Sequence, residues 1–306
     1  MTERKTHLAR QLYIPALLCT ALWGSAAPCV KTGYRLFAVA AGDYYAQLVF
    51  AGWRFLLAGL LVLVAARIKG RRILPRRDEL VPIAGLSMFQ TVIQYICYYI
   101  GLSQTTGVKG SVLSGTQTFF SVLLAHFLLK DDKITKGKAA GCALGFAGVL
   151  VLNLNSSGLG GFSWGDALVL VSAVSAGAGA LVSRIVTPGR DPMLLTGWQL
   201  AGGGALLLIG ATLRGGALGA VTPGGVALLA YMVVLSATAF TVWTALLGKF
   251  PVGQVALFGF CIPIFGALFS ALVLGEQVFT LRNLAALVLV SGGIAAANYT
   301  KASKTG

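Results

Sequence analysis

Displaced by 145 residues, the second half of this chain falls onto its first: Gly52-Trp53-Arg54 meets Gly197-Trp198-Gln199, Asp131 meets Glu276, Thr135 meets Thr280, Gly148 meets Gly293 and Asn153 meets Asn298. One constant offset across anchors this far apart marks a duplicated unit, with halves at 1–155 and 156–306. The anchors are separated by apolar runs. Hydrophobic residues make up 57% of the chain and charged ones 11%, against roughly 25% charge in a soluble domain. Runs at 12–30, 80–102 and 252–274 carry no charge, and each approaches the ~20 residues that cross a bilayer as helix. Similar runs at 44–66, 112–129, 139–154, 167–182, 193–213, 226–247 and 284–299 bring the expected number of spans to ten. The shortest, 139–154 and 284–299, are repeat mates and stand or fall together. The expected fold is an all-α integral membrane protein of ten transmembrane helices.

Five spans per unit is an odd number, so the second unit enters the membrane from the opposite face. The expected fold is therefore two inverted five-helix repeats. Charge follows the same logic. The 130–138 loop carries four basic residues and its mate at 275–283 only Arg282. Of 24 Lys and Arg, five (Lys31, Arg35, Lys109, Arg214, Arg282) fall on one side, Arg54 lies within a span, and the other 18 share the side of the two termini. The positive-inside rule places both termini in the cytoplasm and accounts for the net charge of +15 without a nucleic-acid partner. A cleavable leader is the rival reading of the first span, because Arg4, Lys5 and Arg10 precede it and Ser25-Ala26-Ala27 resembles a cleavage site. The run continues past that site to Val30, which favours a retained span.

The five cysteines lie in spans without a C-x-x-C pair, and His7 and His126 form no ligand cluster, so no metal or cofactor is expected. A nucleotide-binding G-x-x-x-x-G-K-[ST] loop is also absent, which directs attention to gradients rather than ATP. Inverted repeats in a membrane place a solute site at the midplane between the halves, and exchanging their two arrangements gives alternating access.

Polar side chains in hydrocarbon are costly unless they face protein or water, so their spacing shows the inward face. On the third span Ser87, Gln90, Thr91, Gln94 and Tyr98 form one helical stripe. Their mates on the eighth span are Met232, Leu235, Ser236, Ala239 and Trp243. A cavity walled by amides on one side and apolar or aromatic groups on the other suits a neutral or zwitterionic amphipathic solute. Ser111, Ser114, Gln117 and Ser121 on the fourth span, and Ser172 and Ser175 on the sixth, either line that cavity or pack helices closely. Trp23-Gly24-Ser25 followed by Pro28 is expected to break the first span, and Pro263 to hinge the ninth, because proline frees a backbone carbonyl. Arg54 sits about ten residues into the second span with no intramembrane acid to pair with. It serves either as a structural clamp or as a contact for a substrate carboxylate. No Asp or Glu lies deep in a span, which disfavours a cation exporter built on a central carboxylate. Small-residue faces at Gly137, Gly141 and Gly145 on span five, and at Gly292 and Ala296 on span ten, fit either a junction between halves or a homodimer.

The pattern resembles the drug/metabolite transporter superfamily, specifically its ten-span EamA-type members. The likeness rests on Trp23-Gly24-Ser25 with Lys31, on Trp53-Arg54-Phe55-Leu56-Leu57-Ala58-Gly59, on Ala143-Leu144-Gly145-Phe146-Ala147-Gly148-Val149-Leu150, and on the stretch from Pro263 to Leu274-Gly275-Glu276. Thr118 stands where the other half has Pro263, and Lys130-Asp131-Asp132 where it continues Gly275-Glu276. The resemblance implies a non-enzymatic carrier in the plasma membrane that exports small metabolites such as amino acids. The substrate-binding residues expected from the reading above are Trp23, Ser25, Gln90, Gln94, Tyr98, Ser114, Gln117, Ser175 and Trp243. The competing functions are efflux of lipophilic cations held by aromatic faces and a non-transporting membrane sensor or assembly subunit.

Overall fold

The computed structural model describes residues 2–40, 42–104, 110, 113–152, 162–274 and 281–299, with side chains left out at 2–9, 27, 152, 267, 270–274, 282–283 and 298–299. Lys109, Ser111, Asn153, Glu276 and Thr280 from the sequence reading, and both chain ends, lie outside them. Every regular element among the described residues is helical. The helices are α1 (Thr2–Leu36), α2 (Tyr44–Ile68), α3 (Arg77–Ser103), α4 (Leu113–Leu128), α5 (Lys136–Leu152), α6 (Trp164–Val186), α7 (Pro192–Thr212), α8 (Pro223–Lys249), α9 (252–274) and α10 (Leu281–Tyr299). Six of them, in α1, α2, α3, α6, α7 and α8, run 21 to 27 apolar residues and are long enough to cross a membrane. Shorter apolar helices at Leu113–Leu128, Val252–Gly266 and Leu284–Ala297 belong to α4, α9 and α10.

The helices start where the sequence supplies caps. Asp43 accepts a hydrogen bond from Ala46 N at 2.9 Å to open α2, and Asp191 and Thr222 precede prolines at the first turns of α7 and α8. Ser163 and Asp166 form a reciprocal capping box at α6. Outward faces such as Leu57, Leu60, Leu61 and Val64 on α2 stay exposed. That arrangement suits surrounding lipid.

Two glycine-mediated crossings organise the bundle. On α2 and α7, a Cβ at Gly59 would lie 2.2 Å from Ala201 N, and a Cβ at Gly204 would lie 2.3 Å from Leu56 N. A Cβ at Gly52 would meet Leu208, and one at Gly197 would meet Leu63. Each contact recurs with both members shifted by 145 residues, and rising numbers on α2 meet falling numbers on α7, so the pair is antiparallel. The pair α5 and α10 repeats this design. Gly148 approaches Val290 and the Ala286 carbonyl, while Gly293 approaches the Gly141 carbonyl and Gly145 N. The small-residue face on Gly141 and Gly145 is thus filled within one chain, whereas Gly292 points to open space. Between these crossings α1 packs on α8 and α9, and α6 packs on α3 and α4.

The break expected in the first span is not a break in the helix: α1 runs unbroken through Gly24 and Pro28. Proline at 28 removes the donor that would reach the Gly24 carbonyl. The backbone is held by close packing instead, because a Cβ at Gly24 would lie 2.5 Å from Phe265 Cβ. Nor is Pro263 itself the irregular point of α9. The chain tightens just before it into a 3-10 turn at Leu257–Phe260, between α-helical Val252–Ala256 and Cys261–Leu274. The other interruption is one the sequence did not signal, a π-turn at Met88–Ile93 within α3.

Candidate functional site: a chamber between the halves

A cavity of about 680 Å³ lies among α1, α2, α3, α4, α6, α8 and α9. Trp23, Gln90, Gln94, Tyr98, Ser114, Gln117 and Trp243 all line it, and so does Arg54. Ser25 and Ser175 do not. Ser25 Oγ donates to the Leu22 carbonyl at 2.8 Å and accepts from Tyr231 Oη at 2.8 Å, joining α1 to α8. Ser175 Oγ donates to the Phe89 carbonyl at 2.7 Å. That bond supports the π-turn rather than a solute. Gly24, Pro28 and Pro263 likewise stand outside the cavity wall.

The π-turn explains how the α3 stripe is used. A π-bulge inserts one residue and rotates the helix beyond it by about 100°, so the polar stripe divides between two neighbours. Ser87 Oγ donates to the Gln199 carbonyl at 3.1 Å, and Gln199 Nε2 donates to Thr91 Oγ1 at 2.8 Å. These residues bind α3 to α7. Gln90, Gln94 and Tyr98 face the chamber, joined by Tyr95 and Tyr99. Gln90 lies across α6 at Gly179, where a Cβ would sit 2.3 Å from its Cγ. Only glycine leaves room there.

The aromatic wall is continuous. Trp23 meets Trp243 at 5.0 Å and Phe240 at 5.5 Å between ring centroids, and Phe55 meets Tyr95 at 4.5 Å. Two polar atoms on this wall are buried without a hydrogen-bond partner among the described residues, Trp23 Nε1 and Gln90 Oε1. Unsatisfied buried groups are uncommon and call for water or a ligand. Arg54 is 3% exposed, donates from Nε to Ser236 Oγ at 2.8 Å, and lies 5.0 Å from the Phe55 ring centroid. Tyr34, Tyr95, Tyr99, Thr118 and Phe240 are wall residues that sequence reasoning missed. Tyr95 and Tyr99 flank the nominated Gln94 and Tyr98, and a register shift in the stripe would have found them.

The chamber is closed at one end. Five ion pairs lie at the end formed by the α2–α3, α4–α5, α6–α7 and α8–α9 connections. Asp132 is 1% exposed, pairs with Lys138 and accepts from Gly253 N at 3.0 Å, which ties the α4–α5 loop to the start of α9. Arg184 reaches Asp131 at 2.9 Å and the Gly248 carbonyl at 3.2 Å, joining α6 to that loop and to the end of α8. The Arg184 hydrogen bond holds the Asp131 carboxyl below its usual range. Beneath this layer the cavity ends at buried Leu247 and Ala256, whereas at the opposite end it reaches exposed Lys31, Gly42 and Ser103.

These features define a multi-pass membrane protein with an internal polar and aromatic chamber. Residues 11–154 and 163–299 each match the EamA-like transporter family, and the chain belongs to that family. It is a membrane transporter, from a family of transporters rather than enzymes. Among its relatives, the uncharacterized transporter YvbV of Bacillus subtilis is 31% identical over 90% of this chain and 88% of its own length. A chloroplastic WAT1-related protein of Arabidopsis thaliana is 28% identical over 78% of this chain, which spans 60% of that relative's length. A Salmonella typhimurium protein named "Probable amino-acid metabolite efflux pump" is 27% identical over 91% of this chain and 92% of its own. A solved crystal structure superposes with a TM-score of 0.80 over 97% of this chain and 99% of its own at 18% identity, a likeness of fold.

Proposed function

We propose that this transporter is a secondary-active carrier that exports amino acids or related small metabolites across the plasma membrane by alternating access. Its ten spans form two inverted five-helix repeats, 1–155 and 156–306, with both termini in the cytoplasm. The observation that carries this reading is the reciprocity of the crossings: Gly59 on Ala201 recurs as Gly204 on Leu56, between antiparallel helices. A two-fold axis in the membrane plane produces that pairing. A carrier built this way has two related arrangements of one fold, each opening the midplane chamber to a different face. The ion-pair layer at the basic end, with the cavity reaching exposed residues at the other, fits one of those arrangements. The name of the Salmonella relative supports metabolites of the amino-acid class as cargo. Export of lipophilic cations is less well supported, because the charged residues of the chamber wall among the described residues are Lys31 and Arg54.

Flux into and out of proteoliposomes tests the proposal. The purified protein is expected to exchange a labelled metabolite that is trapped on one side for an unlabelled one on the other. A chain that accelerates no exchange across amino acids, organic acids and their neutral analogues is not such a carrier.

A further inference from the structure

The repeat itself shows what is unusual about Arg54. Its mate is Gln199, and the mate of its partner Ser236 is Thr91. The two pairs make the same bond: Gln199 Nε2 to Thr91 Oγ1 at 2.8 Å, and Arg54 Nε to Ser236 Oγ at 2.8 Å. Clamping a helix at this position therefore needs one donor, and a neutral amide supplies it. The charge and the two terminal nitrogens of Arg54 are surplus to that task. Gln199 lies outside the chamber wall, whereas Arg54 is part of it.

The surroundings leave that charge uncompensated. Ser236 spends its own proton on the Met232 carbonyl at 2.8 Å, and no carboxylate among the described residues pairs with Arg54. Tyr99 lies beside both the guanidinium and Tyr34, so the three form one polar cluster on the wall. Among the described residues the charged ones on the wall are Lys31 at the exposed mouth and Arg54 deep inside, both cationic. A cation at the entrance followed by one at depth focuses a potential that draws anions inward. A planar guanidinium fork matches a carboxylate in two parallel hydrogen bonds, and an ammonium group would find no acid among the described residues of this wall.

We infer that Arg54, with Tyr34 and Tyr99 beside it, is the subsite for the carboxylate of an amphipathic organic acid whose apolar body lies on the Trp23, Phe240 and Trp243 wall. The solute is then net anionic, which narrows the metabolite class named above and rests on that carrier reading. A free acid and an α-amino acid share the carboxylate, and the absence of an acid among the described wall residues favours the free acid.

Binding and flux of matched probes decide the matter: phenylpropanoate and isocaproate, their amides, and phenylalanine and leucine. Wild-type protein is expected to bind each acid about tenfold or more tightly than its amide, the scale of one hydrogen bond to a charged group, with the amino acid between. Arg54→Gln, which copies the mate and keeps the clamp, is expected to bring acid and amide to equal affinity at a melting temperature near wild type. An amide bound by wild type as tightly as its acid overturns the inference while leaving the carrier reading in place. So does an acid preference that survives Arg54→Gln. Binding and flux of none of the probes overturns both. Should Arg54→Gln fail to fold, the wild-type ratios stand alone as the test, and Arg54→Lys, which keeps charge without the fork, is expected to retain part of the preference.

Discussion

Substituting the crossing glycines tests the geometry on which the bundle depends. A methyl group on Gly59 would stand 2.2 Å from Ala201 N and 2.5 Å from the Gly197 carbonyl, and one on Gly204 would stand 2.3 Å from Leu56 N. Ordinary contact begins at 3.4 Å, and every close atom here is backbone, so the two helices must move apart by about 1 Å. Overpacking of this kind costs ~1–3 kcal/mol. Gly59→Ala and Gly204→Ala should each lower stability by that much, despite the better helix propensity of alanine. The double variant should cost clearly less than the sum, because the first substitution already opens most of the gap that the second requires. Gly210→Ala and Gly292→Ala are controls. Neither Cβ would touch anything within 4 Å, and alanine at either is expected to be neutral or stabilising by up to ~1 kcal/mol. Reversible unfolding in mixed detergent micelles gives the free-energy change of each of the five variants. Full additivity, or wild-type stability in either crossing variant, would refute the packing argument.

Other consequences are open to measurement. Asp132→Asn leaves Lys138 buried without its counter-charge and is expected to destabilise the protein by ~3–5 kcal/mol. It should also let a thiol reagent at the basic end reach a cysteine placed at Thr244, and protection unchanged from wild type would argue against a latch. The Asp131 carboxyl is held below its usual range by the Arg184 hydrogen bond, so this group contributes stability above its unfolded pKa and loses it only as pH falls through the lower folded value. Accessibility of the basic end should accordingly stay flat from neutral pH into the acid range below ordinary carboxylates; opening near pH 6 would contradict the assignment. Gly179→Ala forces Gln90 from its place and should weaken solute binding severalfold with a smaller effect on stability than at the α2–α7 crossing, which titration calorimetry and unfolding together would read.

Much of the architecture is legible in the sequence because hydrocarbon imposes simple rules. Runs of apolar residues mark the helices, and the offset of 145 predicts which contacts recur, down to Arg54 with Ser236 and Gln199 with Thr91. What stays hidden depends on local backbone. The stripe from Ser87 to Tyr98 reads as a single face, yet the π-turn at Met88–Ile93 sends Ser87 and Thr91 to α7 and turns Tyr95 and Tyr99 inward. Tyr34 lies past the apolar run of the first span, between Lys31 and Arg35, and Phe240 sits in an apolar run where nothing separates a chamber wall from core. Ser25 and Ser175 show the converse. A hydroxyl in a span satisfies itself equally well on a neighbouring helix, and both do so. Pro28 reads as a break because it removes a backbone donor, but α1 continues as helix through it, with Gly24 packed closely on Phe265.

A single cysteine at position 94 tests the central claim directly, after Cys19, Cys29, Cys97, Cys142 and Cys261 are replaced by serine or alanine. Gln94 lines the chamber, so in oriented proteoliposomes Gln94→Cys should react with a membrane-impermeant thiol reagent applied to either face, with transported solute protecting it from both. Reaction confined to one face under every solute and pH condition, or no reaction from either, would mean that this chamber does not alternate between the two sides of the membrane.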